Sequence, residues 1–165
     1  MKIHPKLLAA ACLITLCSAA WAQSFNPAHG GPANRIVGLW HVTATIGACA
    51  GGPKQTFLAL ANYHAGGTMS DANTMPPASR GPGVGIWSFQ GKGQFNSRFQ
   101  FFRYLPNGSY DGLQDINGSL SLDTAGMHYV QTIHAQALNA DGSVRVELCG
   151  SATGDRVSLP GRMTH

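Results

Sequence analysis

The sequence is poor in charged residues and in long apolar runs. Asp, Glu, Lys and Arg make up 11% of its 165 residues, and only seven residues are acidic. So few carboxylates leave little material for acid–base catalysis. No apolar run reaches the roughly 20 residues that a membrane-spanning helix needs, so we expect no stable membrane insertion. A sustained apolar stripe at helical spacing is also missing, which argues against a helical protein.

Sequence motifs that carry known catalytic or metal chemistry are missing as well. There is no Gly-x-Ser-x-Gly nucleophile elbow. Asp111 and Asp115 are expected to face solvent, which disfavours a carboxylate pair for glycoside hydrolysis. His128 and His134 share a strand face, but six residues separate their side chains by about 20 Å. We therefore predict no metal and no cofactor. The sequence motifs do not indicate enzyme activity, which stays an open alternative.

The first 22 residues have the plan of a secretory signal peptide. Two lysines precede an apolar stretch at residues 7–16, and Ala20 and Ala22 supply the small side chains that signal peptidase prefers. We expect cleavage after Ala22 and a mature protein that is periplasmic or secreted. The predicted domain organisation therefore begins with a signal peptide at residues 1–22.

Two of the four cysteines, Cys12 and Cys17, lie inside this segment, and Leu16 is too large to precede a lipidated cysteine. The remaining two, Cys49 and Cys149, have neither the Cys-x-x-Cys spacing nor the cationic neighbours that activate a thiol. In an oxidising compartment such a pair is predicted to form a disulfide.

Net charge falls when the signal segment is removed. Lys2 and Lys6 leave with it, so nine of the 11 basic residues remain against seven acidic ones, a net charge of +2. These cations are scattered along the chain, and no basic cluster remains to bind nucleic acid. The oligomeric state does not follow from the sequence.

The rest of the chain has the pattern of a single β domain. Residues 23–35 and 158–165 are rich in Gly, Pro and small polar residues, and we interpret them as a flexible lead-in and a flexible tail. Between them, over residues 36–157, β-branched and aromatic runs alternate with turns that contain Gly or Asn. Eight strands are predicted, near residues 36–45, 55–64, 67–73, 83–90, 93–104, 109–121, 127–138 and 143–154.

Short turns between these strands favour hairpins between sequence neighbours. Closing such a meander removes its exposed edges. We therefore predict an all-β fold, an eight-stranded antiparallel up-and-down barrel, with a sandwich as the alternative.

Alternation along the strands assigns side chains to the barrel interior. It predicts that Tyr110 and Met127 point inward, together with a set that mixes apolar walls with isolated polar groups. Such a mixture is typical of a small-molecule site, although the same side chains also suit a filled core. The predicted ligand-binding residues are Phe95, Phe99, Phe101, Gln114, Ile116, Tyr129, Gln131 and Ile133.

The segment Gly38-Leu39-Trp40 at the start of the first strand resembles the Gly-x-Trp motif that opens lipocalin and other calycin barrels. The resemblance implies that Trp40 plugs the closed end of the barrel and that Arg156 packs its guanidinium over the indole. Residues 67–68, 82–87 and 107–108 also resemble small exported bacterial proteins of unassigned function with lipocalin-like barrels. The short C-terminal tail departs from classical lipocalins, which have a helix there.

This resemblance implies a fold more than a task. Our leading hypothesis is an exported barrel that binds a small hydrophobic molecule without catalysis. The alternative is an enzyme of the allene oxide cyclase type, in which Tyr129, Gln114 or Gln131 holds a polyene or a ketone. A third possibility is a protein-interaction module or inhibitor that uses the proline-containing loop at residues 71–82.

Overall fold

The computed structural model describes residues 31–159, so the predictions for residues 1–30 and 160–165 lie outside the described residues. Eight antiparallel strands follow one another round a closed barrel, and the last pairs with the first. The strands are β1 (Gly38–Ala48), β2 (Lys54–Tyr63), β3 (Thr68–Asn73), β4 (Gly83–Gly91), β5 (Gln94–Tyr104), β6 (Tyr110–Leu122), β7 (His128–Leu138) and β8 (Val144–Arg156). The predicted fold class, a lipocalin-like up-and-down barrel, is confirmed, and each predicted strand overlaps one observed strand.

Two short 3-10 helices accompany the strands in the described part of the chain. One, Pro32–Ile36, precedes β1, and the other, Pro77–Ser79, lies in the loop between β3 and β4. Both begin at a proline, whose fixed φ suits the first turn of a helix. Within residues 31–159, no helix has the length and apolar character needed to cross a membrane.

The strands alternate between buried and exposed side chains. In β1, Trp40, Val42 and Ala44 are buried while His41 and Thr43 are exposed. Successive side chains of a strand point to opposite faces, so this alternation places one face towards the barrel axis and the other towards solvent. The hydrophobic core therefore lies along the axis.

Two residues that alternation assigned to the interior are exposed instead. Tyr110 and Met127 are each 45% exposed. Tyr110 pairs with Tyr104 of β5, and the register of the β5–β6 pairing shifts between Arg103 and Tyr104. An irregularity of this kind changes the direction in which the side chain of Tyr110 points. Met127 precedes β7 in a turn, where its amide donates to Oδ1 of Asp123. The inward prediction for both residues was wrong because alternation holds only inside a regular strand.

The guanidinium of Arg156 closes one end of the barrel by stacking on Trp40. Its Cζ lies 4.4 Å from the centroid of the indole ring, which is the contact that the lipocalin resemblance implies. Nε donates to the carbonyl of Gly126 at 2.6 Å and Nη1 to that of Val37 at 2.7 Å. Gly38 has a positive φ of 137°, and a Cβ there would come within 2.7 Å of Nη1. This position therefore needs glycine.

The predicted disulfide between Cys49 and Cys149 is present and joins segments 100 residues apart. It lies where β1 and β8 pair, near the end opposite Trp40, and the amide of Cys49 donates to the carbonyl of Glu147 at 3.0 Å. The β1–β8 seam that closes the barrel is therefore fixed at one end by Trp40 and Arg156 and at the other by a covalent bond.

Candidate ligand cavity

A cavity of about 370 Å³ occupies the barrel axis between the packed floor at Trp40 and the opposite, open end. It reaches the surface beside the exposed residues Pro53, Gln55 and Met75. Ligand sites in proteins commonly begin at roughly 300 Å³. The interior is therefore large enough for a small molecule.

Small side chains make this space. Six alanines line the cavity on β1, β2, β7 and β8, and Ala44 lies opposite Ala152 across the β1–β8 seam. A closely packed core of the same backbone would need larger side chains at these positions, because protein interiors otherwise leave few voids. The lining alanines are Ala44, Ala48, Ala59, Ala61, Ala135 and Ala152. Sequence reasoning did not single them out, although alternation in β1 and β7 had placed Ala44 and Ala135 inside.

The structure brings together seven of the eight residues predicted to bind a ligand. Those that line the cavity are Phe99, Phe101, Gln114, Ile116, Tyr129, Gln131 and Ile133. Phe95 differs: it points inward but lies in the floor, 1% exposed, with its ring centroid 5.1 Å from that of Phe89 and 6.0 Å from that of Trp87. Its position nearer the closed end places it below the open space. That any of these residues contacts a ligand stays a prediction.

A cluster of polar groups lies near the floor of the cavity. Gln131 donates from Nε2 to Oγ of Ser97 at 3.1 Å, and both residues are buried. The rings of Tyr63 and Tyr129 meet edge to face, with centroids 6.4 Å apart. The hydroxyls of Ser97 and Tyr129 lie near that of Tyr63 and act to lower its pKa. Polar side chains from three strands therefore form one cluster.

Two glycines leave the space that the side chains of Gln131 and Tyr129 occupy. A Cβ on Gly118 would come within 1.8 Å of Nε2 of Gln131, and one on Gly154 within 2.3 Å of the ring of Tyr129. Real Cβ atoms do not approach other atoms so closely, so larger residues would displace both side chains. The glycines thus position Gln131 and Tyr129 without touching the cavity themselves.

Both tyrosines keep their protons at neutral pH. Burial raises the pKa of Tyr63 to about 12, although the hydroxyls of Tyr129 and Ser97 oppose the shift. Burial also raises the pKa of Tyr129, and the neighbouring Tyr63 adds to the effect. The loss of water around a phenolate is the main cause in each case. These groups can therefore donate hydrogen bonds to a carbonyl or carboxylate oxygen.

Asp71 and Arg80 form an ion pair inside the barrel. Nη2 of Arg80 donates to Oδ1 of Asp71, and the two side chains are 5% and 7% exposed. Asp71 lines the cavity, and the guanidinium of Arg80 lies 4.0 Å from the ring centroid of Phe101. Burial raises the pKa of Asp71, while the attraction of Arg80 opposes that shift. Sequence reasoning had placed both residues in a surface loop.

A second charged cluster lies at the open end. Arg103 lines the cavity, and its Nη2 donates to the carbonyl of Leu138 at 2.8 Å and approaches Oδ2 of Asp111 at 3.4 Å. Arg145 binds both carboxylate oxygens of Asp111, at 2.8 and 2.9 Å. Asp111 is thus shared between two arginines, and the cluster has one positive charge in excess.

The two acids considered for glycoside hydrolysis lie outside the cavity lining, but the expectation that both face solvent was wrong for Asp115, which is 7% exposed. Arg145 holds the pKa of Asp111 below its ordinary value, and Arg98 does the same for Asp115 through hydrogen bonds of 2.6 and 3.0 Å. A hydrogen-bonded cation favours the charged form of a carboxyl group. Neither acid is therefore suited to donate a proton at neutral pH.

One group of metal-ligand type occurs among residues 31–159. Cys49, Cys149 and His134 bring their ligand atoms within 4.8 Å of one another on the outer surface. The two sulfurs are bonded to each other, so neither is available as a thiolate ligand. The imidazole of His134 alone does not make a metal site.

Three of the residues that sequence reasoning missed had a signal. In β5, the alternation that places Phe99 and Phe101 inside also places Ser97 and Arg103 inside. Asp71 had a similar signal, because it lies two residues from the buried Met69 in β3 and therefore on the same face. Arg80 had none, because it lies in the loop between β3 and β4, where alternation does not apply.

Comparisons with known proteins give little beyond this geometry. No family model matches the chain, and no curated protein matches it. An S-type phycobiliprotein lyase, CPES from Guillardia theta, is similar in structure, with a TM-score of 0.44 and 9% sequence identity. The match covers 76% of this chain and 90% of that one. Similarity at this level says nothing about what the cavity of this chain holds.

Proposed function

We propose that this protein is an exported, lipocalin-like barrel that binds a small, largely hydrophobic molecule without transforming it. The cavity of about 370 Å³ is the observation that carries the proposal, because its walls are mostly apolar and carry only a few polar groups. Apolar walls supply affinity and isolated polar groups fix orientation. A filled interior would instead have favoured the interaction module.

Export is the second part of the proposal. It rests on the signal-like residues 1–22 and on the Cys49–Cys149 disulfide, since such bonds persist mainly in oxidising compartments. N-terminal sequencing of protein recovered from the cell envelope or the medium tests it. We expect the mature chain to begin at Gln23, with 36–157 as the barrel domain. A chain recovered intact from the cytoplasm would contradict export.

Binding can be tested with a neutral fluorescent dye and with the natural occupant. Native mass spectrometry and organic extraction of the protein from its own source should recover a small apolar molecule. The dye N-phenyl-1-naphthylamine should fluoresce on entering the cavity and be displaced by that molecule.

Two matched variants each replace one alanine by leucine, one on the cavity wall and one on the outer surface of the barrel. Ala135→Leu, on the wall, should weaken dye binding about tenfold or more, because it adds bulk where the ligand lies. Ala72→Leu, on the exposed face of β3, should leave binding unchanged. Equal effects of the two changes, at equal thermal stability, would refute binding in the cavity.

One observation favours a second candidate, an isomerase or cyclase of the allene oxide cyclase type. Tyr129 and Tyr63 are neutral donors in an apolar cavity that the carboxyl of Asp71 also lines. Neutral donors in a water-poor site stabilise the oxyanion that develops on a carbonyl. Turnover of a polyene epoxide or enone that falls at least about 100-fold in Tyr129→Phe would support this candidate. Unchanged turnover in that variant would remove it.

A further inference from the structure

The polar groups of the cavity differ at its two ends, and the open end has two side chains with hydrogen-bonding atoms that no other group engages. Arg103 on β5 and Gln114 on β6 both line the cavity. Phe101 lies directly opposite Gln114, and Arg103 opposite Gly112, so Arg103 and Gln114 are diagonal neighbours on the inner face. Side chains in this relation lie within reach of a common partner.

Gln114 lines the cavity without a hydrogen bond from its amide to the protein. The residue is 8% exposed, and its amide makes no hydrogen bond with any other side chain or backbone group of residues 31–159. The amide is not among the fully buried groups that lack a partner, so it keeps contact with the space of the cavity. An amide in this position usually meets water or a ligand. Its place on the cavity wall leaves the amide facing the space that a ligand would occupy.

Two of the guanidinium nitrogens of Arg103 have no hydrogen-bond acceptor among residues 31–159. Nη2 is engaged by the carbonyls of Leu138 and Asp111, whereas Nε is buried with no partner and Nη1 has none in the described part of the chain. Burial lowers the pKa of Arg103, but an arginine remains charged at neutral pH. Its side chain is 15% exposed, so this charge lies beside the cavity with little contact to bulk solvent.

The nearby carboxylates do not neutralise this charge. Arg145 holds Asp111 through both oxygens, and the 3.4 Å contact from Asp111 to Arg103 is correspondingly longer. Asp71, which lines the cavity, is paired with Arg80. The open half of the cavity therefore has one unmatched positive charge next to an unmatched amide.

We infer that the ligand is an apolar molecule with a carboxylate, which Arg103 and Gln114 bind near the open end while the apolar part extends between the alanine wall and the phenylalanines. This inference rests on the proposed function and names the chemical class of the ligand. An arginine fork matches the two oxygens of a carboxylate, and an amide N–H can donate to one of them. The tyrosine cluster at the floor remains free to meet a second polar group.

Competition among three matched molecules tests whether the cavity prefers a negatively charged head group. Dodecanoate, dodecanol and dodecylamine share one chain and differ in the head group, and each is titrated against bound N-phenyl-1-naphthylamine. We expect dodecanoate to bind about 10-fold or more tightly than dodecanol, as a charge-assisted hydrogen bond implies. Dodecylamine should bind most weakly. Equal affinity for the acid and the alcohol, or preference for the amine, would overturn the inference.

Variants locate the head group. Arg103→Gln should remove most of the preference for dodecanoate while leaving dodecanol binding unchanged, and Gln114→Leu should reduce the preference in the same direction. Arg98→Gln is the matched control, because that arginine lies on the outer face with its side chain 56% exposed. Equal losses for acid and alcohol in Arg103→Gln would contradict the placement.

The experiment separates this inference from the proposed function. If the neutral dye and all three molecules fail to bind, the ligand-binding proposal itself fails. If the dye and dodecanol bind but dodecanoate has no advantage, binding stands and only the carboxylate site is lost. Should Arg103→Gln not fold, the wild-type series and Gln114→Leu still decide the question.

Discussion

At the closed end of the barrel, Trp40, Tyr129, Phe95 and Leu120 each have at most 1% of their surface exposed, whereas at the open end Phe57 and Phe99 are only half-buried around an open cavity. The first region resembles an ordinary protein core, and the second leaves apolar surface uncovered. Apolar burial supplies most of the folding free energy. The difference shows that the closely packed apolar core lies at the closed end, whereas the ligand of the proposed function would lie towards the open end.

The largest effect should come from the closed end. Trp40→Ala removes a fully buried indole, its 2.9 Å hydrogen bond to the carbonyl of Ile36 and the stacked guanidinium of Arg156. We expect the free energy of unfolding to fall by about 5 kcal/mol, measured by urea denaturation. Phe102→Ala, at a side chain 54% exposed, should cost less than about 1 kcal/mol. Similar losses for the two variants would mean that the closed end is not the stabilising region.

The disulfide tests the other end of the β1–β8 seam. Replacing both Cys49 and Cys149 by Ser opens a loop that spans 100 residues of sequence. Loss of that constraint on the unfolded chain should lower the free energy of unfolding by about 4 kcal/mol. Unfolding without reductant, with the reduced wild type as the control, measures it. A difference below about 1 kcal/mol would indicate that the paired strands alone hold the seam.

Alkaline pH should affect the closed half through its tyrosines. The unfolded chain loses the Tyr63 proton near pH 10, whereas the folded protein keeps it until about pH 12. This part of the stability is therefore complete below about pH 10 and declines as pH rises through about 12, by at most about 3 kcal/mol. Tyrosinate absorbance and urea midpoints followed from pH 8 to 12.5 measure it. Tyr63→Phe should lose this part of the pH dependence, and an unchanged profile would contradict the assignment.

A smaller effect should follow from crowding Tyr129. Gly154→Ala places a Cβ 2.3 Å from its ring, so the ring must move towards the cavity. We expect a loss of about 2 kcal/mol in the free energy of unfolding, together with weaker dye binding. Gly31→Ala is the control, since its φ is negative and no atom lies within 4 Å of the added Cβ. If Gly154→Ala lowers stability but leaves binding intact, Tyr129 does not border the ligand.

Much of the barrel follows from local pattern. Alternation in β1, β5 and β7 correctly separated inner from outer side chains within the regular strands, because the two faces of a strand meet different surroundings. Turns with Gly or Asn marked the hairpins, which is why the strand order was predictable. The pattern failed at Tyr110 and Met127, where an irregular pairing and a turn interrupt the regular strand.

The candidate site was only partly predictable. Tyr129, Gln131 and Gln114 follow from alternation, and Arg103 follows by extending it along β5. Whether the interior is open was not predictable, because it depends on how six alanines from four strands converge. The Asp71–Arg80 pair depends on the fold of an irregular loop, whose geometry no short-range rule specifies.

The sequence by itself determined the eight strands, their neighbour-to-neighbour order, the disulfide partners and most of the inward residues, since all of these depend on residue type, spacing and count. Only the tertiary structure decided that the axis is hollow, that Arg103 and Gln114 lie beside each other on its wall, and that Arg80 turns inward onto Phe101. These properties arise from contacts between distant segments. The residue pattern along the chain does not specify how the side chains of distant segments pack against one another.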